Sequence, residues 1–530
     1  MPEKRLLLKI LIVIILVVLG AVGYVVLRRG IIVPAPSPYD KVFQSQPQPV
    51  TVGPVIDEMV KGEKTIEPSG GTIKMKRGGQ TITLEIPDGS LFSPEDVTVQ
   101  AIKSINNLPE GARFIAGAKL EPDGLGLVKP ATLTIQLPSS SVQDNLVAFA
   151  YERDGTSFHF LPSFGDGNVI EIPMTGFSGG GVIDIPGLIP IINPGTPEQT
   201  AKQLLADVLR RAGRKQQREL KRGEEKDIDP RLLQEARGIL NTWYRVGVKA
   251  DLKVAEKDDA RVDGAVKQML VWRAQVQLFG LDANFDKEFE ESLTSAAKGV
   301  KHGVSQSGKR CVNQKDPKQV AALLRWLRMT QLLGLAGRAG LSELEIAEKA
   351  QKCVVFTIHM DSKVVVPSLG NLKTTAVLDG TLALSDDFTR FEGKGRVEEG
   401  PFSYSTGGGG RCQQVAVSYG FSVVDTKFNI NWHKKAQAKV ELILSLEGVG
   451  VEAPMSCTGG VTVNIPAPWG EDYFPGLHQD ELIDKEGNEY WIRKWQIVGS
   501  KQVYAQKVYK RTIEGVTEET TFILKHTPRE

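Results

Sequence analysis

The chain has 530 residues, with 65 lysines and arginines against 63 acids and a formal charge of +2. That length corresponds to roughly three or four domains, and so small a net charge gives no field that would favour a nucleic-acid partner. An apolar fraction of 41% excludes wholesale disorder, four cysteines exclude a cysteine-dense scaffold, and six scattered histidines leave little for a histidine-rich metal site.

The first predicted element is a membrane helix. The run Ile10-Leu11-Ile12-Val13-Ile14-Ile15-Leu16-Val17-Val18-Leu19-Gly20-Ala21-Val22-Gly23-Tyr24-Val25-Val26-Leu27 carries no charge. As a helix it spans ~27 Å, close to the ~30 Å hydrocarbon core. Lys4, Arg5 and Lys9 precede it and Arg28 and Arg29 follow, a balance that leans toward a cytoplasmic N-terminus. The expectation is a basic tail over 1–9 and a signal-anchor over 10–29 in contact with membrane lipid. A cleaved signal peptide competes with it, but the run exceeds the usual core of ~7–15 apolar residues. Residues 30–64 contain Pro34, Pro36, Pro38, Pro47, Pro49 and Pro54 among Ser and Gln, the composition of an extended stalk.

From 65 to 188 the pattern has a period of two. Ile82, Leu84 and Ile86 alternate with Thr81, Thr83 and Glu85; Val97 and Val99, and then Leu133, Ile135 and Leu137, repeat the pattern. Val147, Phe149 and Tyr151 lead into Asp154-Gly155, a hairpin signal, with Phe158 and Phe160 on the return. Short strands separated by Pro and Gly turns predict an antiparallel β-sandwich.

The motifs Gly70-Gly71, Leu84-Glu-Ile-Pro-Asp-Gly-Ser-Leu91, Leu120-Glu-Pro-Asp-Gly-Leu, Lys129-Pro-Ala-Thr-Leu-Thr-Ile135 and Gly176-Phe-Ser178 resemble the ZU-five-type β domain of ankyrins, netrin receptors and zonula occludens proteins, which also occurs in bacterial surface proteins. The resemblance covers about 65–185. It implies a β-sandwich used for protein contacts or as a spacer, without small-molecule chemistry. Some members cut their own backbone at His-Phe-Ser; here Gly176 stands in the place of that histidine. A serine hydroxyl without a base beside it is a weak nucleophile, so no self-cleavage between Phe177 and Ser178 is expected unless His159 folds nearby. The same stretch spells G-x-S-x-G, but no helix can follow it, and a hydrolase elbow requires one.

At Thr196-Pro197-Glu198 the period changes to that of helices. Leu204, Leu205, Val208, Leu209 and Ala212 share one helical face, as do Leu232, Leu233, Ala236, Ile239, Leu240 and Trp243. Further helices are predicted over about 260–279, 286–299, 317–335 and 342–352, with Ser342 and Glu345 as a capping box, making 196–353 an all-α domain. The basic stretch Arg210, Arg211, Arg214, Lys215, Arg218, Lys221 and Arg222 reads as a solvated face balanced by Glu219, Glu224 and Glu225 rather than as a polyanion site. Asp282, Asn284 and Asp286 begin like a calcium loop, but Lys287 and Leu293 stand where glycine and glutamate are required.

The cysteines fall in two pairs, Cys311 with Cys353 and Cys412 with Cys457, 42 and 45 positions apart. One bridge within each unit is the simplest of three connectivities, each contributing roughly 3–4 kcal/mol in an oxidising compartment. Residues 354–530 read as a second all-β unit, sandwich or barrel, with strands expected at 354–358, 364–366, 382–384, 415–421, 440–446, 461–465, 491–495, 502–509 and 520–525. Trp432, Trp469, Trp491 and Trp495 are candidate ligand-contact aromatics, weighed against ordinary core burial, and the glycine run 407–410 is a hairpin tip.

The sequence thus predicts a multidomain chain: N-terminal transmembrane helix, β-sandwich, all-α helical domain, C-terminal all-β domain. No catalytic residue, metal ligand or cofactor is assigned. The expected role is a membrane-anchored, extracytoplasmic binding or scaffold protein with a protein or envelope-polymer partner and no nucleic acid. A hydrolase with its site in the C-terminal unit and a cytosol-facing adaptor are the alternatives.

Overall fold

The computed structural model describes residues 38–45, 49–138, 145–166, 168–186, 195–222, 228–314, 316 and 318–353, and within 355–526 the strands named below with a few flanking residues, among them 430–432. The predicted tail 1–9, the membrane helix 10–29, much of the stalk, Trp469, Trp495 and the glycine run 407–410 lie outside the described residues. Among the described residues no helix is long and apolar enough to cross a membrane. The chain divides into two compact units, Met1–Ser45 and Gln46–Glu530. In the first, Asp40–Phe43 is one helical turn. All that follows concerns the second.

Its first strands are β1 (Gly53–Ile66), β2 (Gly71–Arg77), β3 (Gln80–Ile86), β4 (Glu95–Asn106), β5 (Arg113–Glu121), β6 (Gly126–Gln136), β7 (Leu146–Glu152), β8 (Thr156–Leu161), β9 (Phe164–Asp166), β10 (Val169–Gly176) and β11 (Gly179–Asp184). They form a six-stranded sheet, β1-β4-β5-β11-β7-β8, and a five-stranded sheet, β2-β3-β6-β10-β9, antiparallel throughout. The period-two residues explain the arrangement. Ile82, Leu84, Leu133 and Ile135 from one sheet meet Val97, Val99, Ala118 and Val182 from the other in one core, each large side chain stabilising by ~1.5–3 kcal/mol. Strand β7 feeds two cores. Ala148 and Ala150 enter this one, while Phe149 and Tyr151 enter a second with Phe158, Phe160 and Ile183.

The sheet starts earlier than the stalk reading allows. Residues 53–64, expected to be stalk, belong to β1, which pairs with β4 on the sheet edge across an irregularity between Ile56 and Lys61. An edge strand tolerates Pro54 and leaves polar residues exposed, so its sequence lacks the alternation of a half-buried strand. Just upstream, Val50 bridges to Phe158, and Val52 donates to the Gly155 carbonyl at 2.9 Å. The entering segment therefore links both edges of the six-stranded sheet. The Asp154-Gly155 turn makes this possible. Gly155 sits at φ +104°, and a Cβ there would lie 1.8 Å from the Val52 carbonyl oxygen.

The helices are α1 (Pro197–Arg222, interrupted at Gly213), α2 (Pro230–Trp243), a π-helical turn (Tyr244–Val248), α3 (Lys249–Ala255), α4 (Asp259–Leu278), α5 (Asp282–Gln314), α6 (Lys318–Leu332) and α7 (Glu343–Cys353). Asp282 starts a helix, in keeping with the rejected calcium loop. Helix α5 runs 15 residues beyond the predicted end at 299. Gly303, a weak helix former, lets it pack closely: a Cβ there would lie 2.7 Å from the Trp326 ring of α6. Buried Cys311 on α5 and Cys353 at the end of α7 are joined as a disulfide, Cα atoms 5.8 Å apart. The basic stretch is paired, as expected of a solvated face: Arg211 with Asp207 and bidentate with Glu235, Lys215 with Glu219, Lys221 with Glu171. Helix α1 packs on β8 and β9, and α4 on β6.

The last strands are β12 (Val355–Val366), β13 (Gly370–Leu384), β14 (Phe391–Glu399), β15 (Phe402–Ser405), β16 (Arg411–Gln414), β17 (Val417–Phe428), β18 (Val440–Leu446), β19 (Glu452–Cys457), β20 (Thr462–Pro466), β21 (Asp480–Ile483), β22 (Glu489–Arg493), β23 (Tyr504–Ile513) and β24 (Val516–His526). They form a nine-stranded sheet, β21-β22-β18-β17-β14-β13-β12-β24-β23, and a four-stranded one, β15-β16-β19-β20. The two strands expected at 354–358 and 364–366 are one, because β12 pairs unbroken with β13 from Val355↔Thr381 to Val366↔Gly370. Cys412 stands directly opposite Cys457 across the β16–β19 ladder, and Cys457 is disulfide-bonded.

Candidate functional site

Between the β-sandwich and the helices lies a cavity of ≈ 470 Å³, walled by β7, β8, β10 and the turn after it on one side and by α1, α3 and α4 on the other. The volume is that of an ordinary small-molecule pocket. The first turn of α1 is aimed at it. Thr196 caps this helix, its Oγ1 accepting from the Gln199 amide at 3.2 Å. One turn on, Glu198 and Lys202 pair at 2.6 Å, and Lys202 also donates to Thr175 Oγ1 of β10 at 3.1 Å. Lys202 is buried, 7% exposed, so its charge depends on these partners. Burial raises the Glu198 carboxyl, but the Lys202 ammonium outweighs it and holds the group below its ordinary value. Gln199 donates to Glu152 of β7 at 3.2 Å.

His159 of β8 lines the same cavity. Its Nδ1 lies 2.8 Å from the Ser157 carbonyl oxygen. A carbonyl only accepts, so Nδ1 carries the proton of the neutral ring and Nε2 is left as an acceptor. Burial, with Lys202 nearby, pushes the ring down to about 4. His159 is therefore a neutral hydrogen-bonding group at pH 7 and a feeble base.

Gly176, Phe177 and Ser178 also line the cavity. The structure thus brings His159 and Ser178 to one cavity, which spacing could not foretell. The turn is held by backbone bonds: Phe177 N to the Leu125 carbonyl at 2.8 Å, Gly124 N to the Phe177 carbonyl at 2.9 Å and Leu120 N to the Ser178 carbonyl at 2.9 Å. Strand β11 follows, so the G-x-S-x-G spelling lies between two strands. A Cβ at Gly176 would stand 3.2 Å from the Leu125 carbonyl oxygen and 3.3 Å from Nζ of Lys267, which comes in from α4.

Of the candidate aromatics, Trp432 is 4% exposed and packs edge-on against Phe92 at 4.8 Å. It lies at the junction of β-sandwich and helices and is not among the residues lining the cavity. Trp491 lies on β22 opposite Leu444 and Glu481. Among the described residues no group of His, Cys, Asp and Glu is placed to hold a metal ion. Sequence reasoning missed Thr175, Gln199, Lys202 and Lys267. The Glu198/Lys202 spacing straight after a helix cap was a usable signal; Lys267 gave none, because the glycines it packs near, Gly126 and Gly176, lie far from it in the sequence. No family model matches the chain, and no curated protein matches it.

Proposed function

We propose that this protein is a membrane-anchored, outward-facing head that acts by binding or scaffolding rather than by catalysis, with residues from about 65 to 185 serving as a ZU-five-type β module. The cysteines carry the reading. Cys311 and Cys353 are joined within the helical unit, and Cys457 is disulfide-bonded opposite Cys412 in the C-terminal unit. Such bridges persist in oxidising compartments. A cytoplasmic tail followed by one membrane helix would deliver the remainder of the chain to that side. The double pairing of the entering segment supports a tethered head, since a pull on the stalk would be shared by the β1–β4 ladder and the bridge to β8. The cavity supports binding: its ionic groups neutralise one another, and His159 adds an uncharged acceptor.

Protease shaving of intact cells, combined with thiol alkylation before and after reduction, tests the proposal. The expected result is loss of everything beyond the stalk and no alkylatable thiol until reductant is added. A protected head with four reactive thiols would overturn it.

A further inference from the structure

Between β17 and β18 the chain sends residues 430–432 into a notch where the β-sandwich meets the helices. Ile430 is 0%, Asn431 1% and Trp432 4% exposed. Asn431 spends its whole side-chain amide there. Its Oδ1 accepts from the backbone N–H groups of Phe92 at 2.8 Å and Ser93 at 3.2 Å. Its Nδ2 donates to the Ser93 carbonyl at 3.0 Å and to Glu95 Oε2 at 2.9 Å. Two bonds accepted and two donated are all an asparagine can make. The flanking residues are read through their backbones. The Ile430 carbonyl accepts from Arg325 Nε of α6 at 2.7 Å, and the Trp432 carbonyl from the Gly126 amide at 2.6 Å. Arg325 is itself fixed by an ion pair with Asp263 of α4. The Trp432 ring meets the Phe92 edge, and a Cβ on Gly126 would come within 2.8 Å of Trp432 Cβ.

We propose that this notch is a peptide-recognition site for an Ile-Asn-Trp segment, which the chain fills in cis with its own residues 430–432. The asparagine supplies sequence specificity. An aspartate of the same shape would set a carboxylate against the Ser93 carbonyl and Glu95, and alanine would leave two backbone N–H groups unpaired in a buried place. The tryptophan supplies shape, and Gly126 is the opening that admits it. Two carbonyl contacts fix the direction of the segment, so the notch reads an oriented peptide rather than a hydrophobic surface.

The test uses the full chain and a labelled peptide of its residues 427–434, followed by fluorescence anisotropy. In the wild type the tethered segment acts at a high effective concentration and excludes the peptide. In the Asn431→Ala/Trp432→Ala variant the tethered segment keeps its two carbonyl contacts but loses its side-chain contacts, so the peptide displaces it and binds at least tenfold more tightly than to the wild type. Replacing the peptide's asparagine by aspartate weakens that binding at least tenfold, as does adding Gly126→Ala to the variant. The single variant Asn431→Asp, run in parallel, keeps the test decisive if the double variant does not fold. Equal peptide binding by wild type and variants, or indifference to aspartate, would overturn the proposal.

Discussion

Lys202 holds a charge almost out of water because Glu198 and Thr175 accept its hydrogen bonds and the chain around it is fixed by a capped helix and a strand. Removing the cation leaves Glu198 without its ion-pair partner. Lys202→Met therefore costs about 2 kcal/mol, read as a lower urea midpoint. Adding Glu198→Gln recovers part of the loss; strictly additive effects would mean the pair is not coupled. His159 gives a pH signature. Its ring is held neutral in the folded state at about 4, against ~6.5 in an unfolded chain. Between those values the unfolded state binds more protons, so this residue's contribution is complete above pH ~6.5 and is lost as pH falls toward 4, by up to ~3 kcal/mol. In His159→Gln the stability difference between pH 7 and pH 5 shrinks; an unchanged difference would show that the ring is not buried neutral.

The entering strand shows why element boundaries escaped the sequence pattern. Composition marks 53–64 as linker, yet pairing with β4 makes it strand, and Gly155 gives it passage. Gly155→Ala forces a left-handed, clashing residue onto Val52 and costs about 2–3 kcal/mol. Hydrogen exchange should then accelerate at residues 50–56 before the rest of the sandwich, whereas uniform exchange would count against a local clamp. The helices were easier to read. A period of 3.6 located α4 within one residue, and Ser342 caps α7 by accepting from Glu345 N. The reciprocal half of that capping box is not what Glu345 does, since its carboxylate pairs with Lys349 one turn on. The Cys311–Cys353 bridge closes a long loop across three helices, so Cys311→Ala/Cys353→Ala costs about 4 kcal/mol. Calorimetry reads it as a lower melting temperature of the helical unit.

At the scale of the whole molecule, the β-sandwich and the helices are joined by buried contacts of two kinds. The cavity brings α1 and α4 against β8 and β10, and the notch binds a segment that lies 338 positions from Ser93 in the chain. Trp432→Ala should therefore loosen residues 430–432 in the notch while leaving β3 protected, and hydrogen exchange at the Gly126 amide, which bonds the Trp432 carbonyl, checks it. Sequence alone determined the order of β, α and β regions, because burial on one face imprints a period of two or 3.6 on neighbouring residues. It also suggested the one-bridge-per-unit cysteine arrangement, through sequence proximity. Only the tertiary structure decided that His159 and Ser178 share a cavity, that Lys267 lines the same cavity, and that Asn431 is spoken for. Those partners are chosen by how separate elements pack, and distant packing leaves no periodic trace along the chain.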